Sequence, residues 1–73
     1  MKEIKIRDEF IKLGQALKLA GIADTGVDAK IHVEEGGALV NGEVDTRRGR
    51  KLRDGDVVTA RGESFTVRSQ APQ

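Results

Sequence analysis

The chain has 73 residues, 34% of them charged, a net charge of only +1, two phenylalanines as its sole aromatics and no cysteine. That length holds one domain with a single small core, which excludes a deep cleft between catalytic domains. Without cysteine, disulfides and thiolate metal sites are excluded, and no apolar run approaches the ~18 residues of a membrane span, so a cytoplasmic protein with no membrane association is expected.

Glu3-Ile4-Lys5-Ile6-Arg7 alternates polar and apolar residues, which predicts a half-buried strand ended by Asp8-Glu9. From Leu13 the period changes: Leu13, Ala16, Leu17 and Ala20 share one helical face, Gln15 and Lys18 lie off it, and Gly21 stops the helix. Gly14 falls in the first turn, where it costs about 1 kcal/mol against alanine. A second helix starts at Thr25, because Thr25-x-x-Asp28 sets a hydroxyl against the Asp28 amide and a carboxylate at the positive helix end. Gly36 closes it. Ala29, His32 and Val33 share one face and Val27 and Ile31 another; so short a helix cannot bury both, and one is expected to stay partly exposed. His32 is the only histidine and has no second ligand to complete a metal site, so a packing or surface role is expected.

Gly36-Gly37 follows a helix instead of opening one and lacks phosphate-loop spacing, so it reads as a helix cap leading into a strand. Asn41-Gly42 between Ala38-Leu39-Val40 and Glu43-Val44 predicts a two-residue hairpin, since both turn positions need positive φ. Arg47, Arg48, Arg50, Lys51 and Arg53 then crowd into seven residues with no acid among them, and Gly49 leaves the backbone free to bend. Leu52 is the expected core anchor beyond this loop. Arg53-Asp54-Gly55-Asp56 is a turn that delivers Val57-Val58-Thr59 as a strand, Arg61-Gly62-Glu63-Ser64 turns again, and Phe65-Thr66-Val67 is the last strand. Both phenylalanines are expected in the core. The expected architecture is α+β in the order β-α-α-β-β-β, with two short helices packed on a small antiparallel sheet. Residues 1–68 form the single domain and residues 69–73 a flexible tail.

The small net charge conceals segregation, with +2 over residues 1–23, −5 over residues 24–45 and +4 over residues 46–73. A solvated charged face is the plainer reading of such runs, but a basic cluster presented by a rigid hairpin reads as a binding surface. No Ser/His/Asp set, metal cluster or pocketed pair of carboxylates can be assembled, and Asp54 and Asp56 are explained by a turn, so neither an enzyme nor a cofactor is expected.

Leu13-x-x-x-Leu17-Lys18-Leu19-Ala20-Gly21, Thr25-x-x-x-Ala29-Lys30, Glu35-Gly36, Val40-Asn41-Gly42-x-Val44, Arg50-Lys51-Leu52 and Asp54-Gly55-Asp56-Val57 together resemble the S4-type RNA-binding domain, or alpha-L motif. The resemblance covers residues 12–58 and is greatest to the small stand-alone bacterial members of the YbcJ type. The chain departs from it at Gly14, where many members carry an acid, and at His32, where an aliphatic or small residue is common. In larger relatives the same domain places structured RNA before a separate enzyme, as in pseudouridine synthases and tyrosyl-tRNA synthetases.

The resemblance implies RNA lying across the amino-terminal parts of both helices and the basic loop, at Lys12, Gln15, Lys18, Thr25, Lys30, Arg47, Arg48, Arg50 and Lys51. The chemistry agrees: guanidinium groups bind phosphate bidentately and helix amino termini offer free amides. With no aromatic platform expected, recognition should rest on the shape and phosphates of structured RNA, with ribosomal or ribosome-assembly RNA the first expectation. The protein is expected to act as a monomer. The alternative is an adaptor whose basic loop meets an acidic protein partner.

Overall fold

The alternating pattern at the amino terminus becomes β1 (Lys2–Ile6), with Ile4 and Ile6 buried, in a computed structural model that describes residues 2–71. A two-residue strand, β2 (Ile11–Lys12), leads directly into α1 (Leu13–Leu19), and α2 (Gly26–Glu34) follows. Five strands complete the chain: β3 (Ala38–Val40), β4 (Glu43–Val44), β5 (Lys51–Leu52), β6 (Val57–Ala60) and β7 (Glu63–Ser69).

The expected α+β class with two helices on a sheet holds, but the sheet is mixed instead of antiparallel. Its order is β1-β7-β6-β3-β4, and β1 runs parallel to β7 with Ile4 opposite Val67. Parallel neighbours need a long crossover, and here nearly the whole domain lies between the two strands. β2 and β5 form a separate antiparallel ribbon, Ile11 opposite Leu52 and Lys12 opposite Lys51, too short for a periodicity to announce.

The core is built from the faces that the periods select. Leu13, Leu17, Val33, Leu52, Val58, Phe65 and Val67 are fully buried, and Ala16 and Ala29 let the helices approach closely. The exposed helical face is that of Val27 and Ile31. Phe10, expected inside, is not part of this core: the strand alternation that turns Ile11 inward turns Phe10 outward.

Three turns hold the sheet in register. Asn41 (φ 52) and Gly42 (φ 86) make the hairpin between β3 and β4, and the Asn41 side chain ties it to the next turn by accepting from the Val57 amide (2.9 Å) and donating to Asp56 (3.1 Å). Arg61 (φ 50) and Gly62 (φ 77) form a second two-residue hairpin, so β7 starts at Glu63, earlier than the expected Phe65. In the turn before β6, Asp56 accepts from the Arg53 amide (2.8 Å), while Asp54 accepts from the Ser69 amide (2.9 Å). Ser69 thus closes β7 and the Gln70 amide donates to the Ile6 carbonyl; of the segment 69–73, Pro72 and Gln73 lie outside the described residues. No helix among the described residues is long and apolar enough to cross a membrane.

Candidate nucleic-acid interface

The basic loop is folded around an acid. Asp45, buried although charged, accepts from the Arg47 amide (2.9 Å), from Arg47 Nε (3.1 Å) and Nη2 (2.8 Å), and from Arg50 Nη1 (2.8 Å). The Arg47 guanidinium is the main cause that holds the Asp45 carboxyl well below the usual carboxylate range, against the opposing effect of burial, with Arg50 adding to it. Arg47 remains 70% exposed, so its charge is oriented and still open to solvent. Two of the expected cations are therefore partly spent on shaping the loop. Asp45 was absent from the expected site, yet Asp45-x-Arg47-x-x-Arg50 is a readable signal: one carboxylate placed to organise two guanidinium groups.

The shaped loop then caps the first helix. α1 has Lys12 at its N-cap and no side chain bonded to its free amides. Instead the Leu13 amide donates to the Arg50 carbonyl (2.8 Å) and the Gly14 amide to the Arg48 carbonyl (3.0 Å). The expectation that both helix amino termini offer free amides is thus corrected for α1, where the loop takes these two donors. This contact explains Gly14. A Cβ at that position would stand 2.7 Å from Cγ and 3.3 Å from Cδ of Arg48, so the aliphatic stem of Arg48 lies directly on the helix backbone.

The second helix is capped from within its own segment. Thr25 Oγ1 accepts from the Asp28 amide (3.0 Å), as the capping pattern requires, while the Asp28 carboxylate accepts from the amide of Asp24 (3.1 Å), one residue before the cap. Arg61 adds a clamp that the sequence did not announce. It donates to both Asp28 oxygens (3.2 and 2.9 Å) and to the Ile22 carbonyl (2.8 Å), fixing the start of α2 to the β6–β7 turn. Arg61 is the first cause of the lowered Asp28 pKa.

Between these elements lies an open groove of about 240 Å³ lined by Lys12, Gly14, Gln15, Lys18, Gly26 and Arg48. Three cations converge on it and no carboxylate lines it. Four of the nine expected contact residues, Lys12, Gln15, Lys18 and Arg48, are brought together here. Lys30 is exposed one turn beyond Gly26 on the same side of α2, while the Thr25 hydroxyl is committed to its cap. Arg47 and Arg50 do not line the groove; both are bonded to Asp45. Lys51 points from the outer face of β5 toward the Phe10 ring, with Nζ 4.8 Å from its centroid.

His32 is half-buried and its ring packs against Gly37, where a Cβ would come within 2.5 Å; its Nε2 is buried without a hydrogen-bond partner. It faces the β3 side of α2 and takes no part in the groove.

Comparison with known proteins bears on the family and the fold. A family model described as S4 domain matches residues 4–68. The chain is 52% identical over 59 residues to "Probable ribosome maturation protein RlbA" of Bacillus subtilis (strain 168), covering 81% of this chain and 83% of that one. It is 39% identical over 57 residues to YbcJ of Escherichia coli (strain K12), covering 78% and 81% of the two chains. The solution structure of YbcJ from E. coli, described as revealing an alfaL motif involved in RNA-binding, superposes with a TM-score of 0.72 at 33% identity over 93% of this chain and 87% of that one. The chain belongs to the S4 domain family.

Proposed function

We propose that this protein binds structured RNA, with ribosomal RNA or an RNA of ribosome assembly as its target, and performs no reaction of its own. The observation that carries the reading is the convergence of Lys12, Lys18 and Arg48 on a groove without a carboxylate, between the two helices and the loop. Arg48 supplies a planar fork for a phosphate, Lys12 and Lys18 supply point charges, and Gln15 can donate to or accept from a ribose 2′-hydroxyl. Thr25 caps the start of α2, whose Gly26 lines the groove, and Lys30 extends the positive surface along that helix. Asp45 sets the directions of Arg47 and Arg50, which with Lys51 continue the positive surface away from the groove. Such a site reads duplex shape and backbone more than sequence. The names of the B. subtilis and E. coli relatives support ribosome maturation and RNA-binding as the setting, which is cytoplasmic.

The test is the salt dependence of binding to a stem-loop RNA. Phosphate contacts release counterions, so log K should fall linearly with log salt with a slope of magnitude about 3–5 for four to six contacts. Changing Lys12, Lys18 and Arg48 together to glutamate should abolish binding while the circular dichroism spectrum is unchanged. Undiminished binding by the folded triple variant removes the groove from the function. Failure of the parent to bind RNA at low salt, with binding of an acidic protein instead, would favour the adaptor reading.

A further inference from the structure

Phe10 is the aromatic residue that the core does not use, and its surroundings have the makings of a second recognition element. In the β2–β5 ribbon, Ile11 and Leu52 face inward, while Lys12 and Lys51 face outward. Alternation places Phe10 and Arg53 on that outer side as well. Lys51 Nζ lies 4.8 Å and Arg53 Cζ 5.7 Å from the Phe10 ring centroid, so two cations attend one half-buried ring.

The ring also borders an open hollow of about 520 Å³ with Asp8, Ile11, Gln15, Lys18 and Leu19. Leu19 is 57% exposed there, an apolar side chain left outside the core. Gln15 and Lys18 line both this hollow and the cationic groove, so the two are contiguous around one helix.

We propose that this hollow is a subsite for one unpaired RNA base, stacked against Phe10, beside the groove that holds the backbone. The proposal rests on the RNA-binding reading and extends it from shape recognition to a nucleotide splayed out of a helix. The lining fits a base better than a phosphate. Asp8 disfavours an anion but accepts from the N–H edge of a base, Gln15 donates or accepts, and Ile11, Leu19 and Phe10 cover an aromatic face. Lys18 lines the hollow itself, and Lys51 and Arg53, over the Phe10 ring and outside that lining, offer positive charge to the phosphates flanking the base. A paired base keeps both faces in its own stack, so the hollow selects a bulged or loop nucleotide.

The test uses the full chain and two RNAs, a fully paired stem and the same stem with one bulged adenosine. The bulged stem should bind about tenfold more tightly, within the range of base–aromatic stacking. Phe10→Leu should abolish that preference and leave affinity for the paired stem within about twofold, with folding checked by thermal melting. In the parent protein, 2-aminopurine at the bulge should lose fluorescence on binding as it stacks, a readout that needs no variant. Equal affinity of the parent for both stems, or an equal loss on both stems in Phe10→Leu, overturns the subsite. Those results leave the RNA-binding reading standing, whereas failure of both stems to bind removes that reading too.

Discussion

Replacing Gly14 by alanine would separate the loop's role in binding from its role in folding. Alanine in a helix is favoured over glycine by about 1 kcal/mol, so a position free of neighbours would gain that amount. Here the new methyl would lie 2.7 Å from Arg48 Cγ and 3.3 Å from its Cδ, while the Arg48 carbonyl, at 3.7 Å, need not move. The backbone contact between loop and helix can therefore survive, but the Arg48 side chain must leave its position. Displacing an exposed side chain to a poorer rotamer costs about 0.5–1.5 kcal/mol, which offsets the helical gain. Net stability should change by less than about 1 kcal/mol. Binding should suffer more, because a misdirected guanidinium forfeits a charge-assisted bond of about 1.5–3 kcal/mol, or roughly 10- to 150-fold in affinity. Urea unfolding followed by circular dichroism reads the first quantity, and fluorescence anisotropy with a labelled stem-loop reads the second. In an Arg48→Ala background the obstruction is gone, and Gly14→Ala should then stabilise by about 1 kcal/mol, giving a measurable coupling between the two positions. Equal effects of Gly14→Ala in both backgrounds would refute the contact. Unchanged RNA affinity with unchanged stability would refute the role of Arg48 in the groove.

Leu17→Ala, at a position with no solvent exposure in the parent, should cost about 2–4 kcal/mol in urea unfolding, whereas Lys18→Ala should leave the unfolding midpoint alone and weaken RNA binding. Gly42→Val places a β-branched residue at φ +86 in open space, so backbone strain alone should destabilise by more than ~1 kcal/mol, and an unchanged melting temperature would contradict the hairpin geometry. The Asp45 carboxyl has its pKa depressed from the ordinary 3.8 by Arg47 and Arg50, so its contribution to stability is fully present above that range and is lost as the pH falls below it. Asp45→Asn should therefore lower stability at neutral pH and flatten the acid limb of the stability profile below about pH 4; parallel profiles for parent and variant would show that the arginines do not stabilise that charge.

The local grammar of this chain was legible because each signal depends on a few neighbouring residues. The helical face of Leu13, Ala16 and Leu17, the Thr25-Asp28 cap, the Asn41-Gly42 turn and the Asp54–Asp56 turn follow from period, capping chemistry and positive φ. Family membership was legible for the same reason, since the matching residues are largely these structural signals. Contacts between distant segments were not. Nothing near Ile4 indicates that β1 will lie parallel to β7, because that pairing is chosen by which strand edge remains free after the rest has packed. The two-residue ribbon β2–β5 has no period to display, and from it follows the outward position of Phe10. The basic loop could be recognised as a cluster of charge, but only the tertiary structure divided that charge. Asp45 took Arg47 and Arg50 into ion pairs, the loop carbonyls capped α1, and Arg48 came to rest on Gly14. A sequence counts cations equally, whereas the fold decides which of them have a carboxylate within reach and which line an open groove without one.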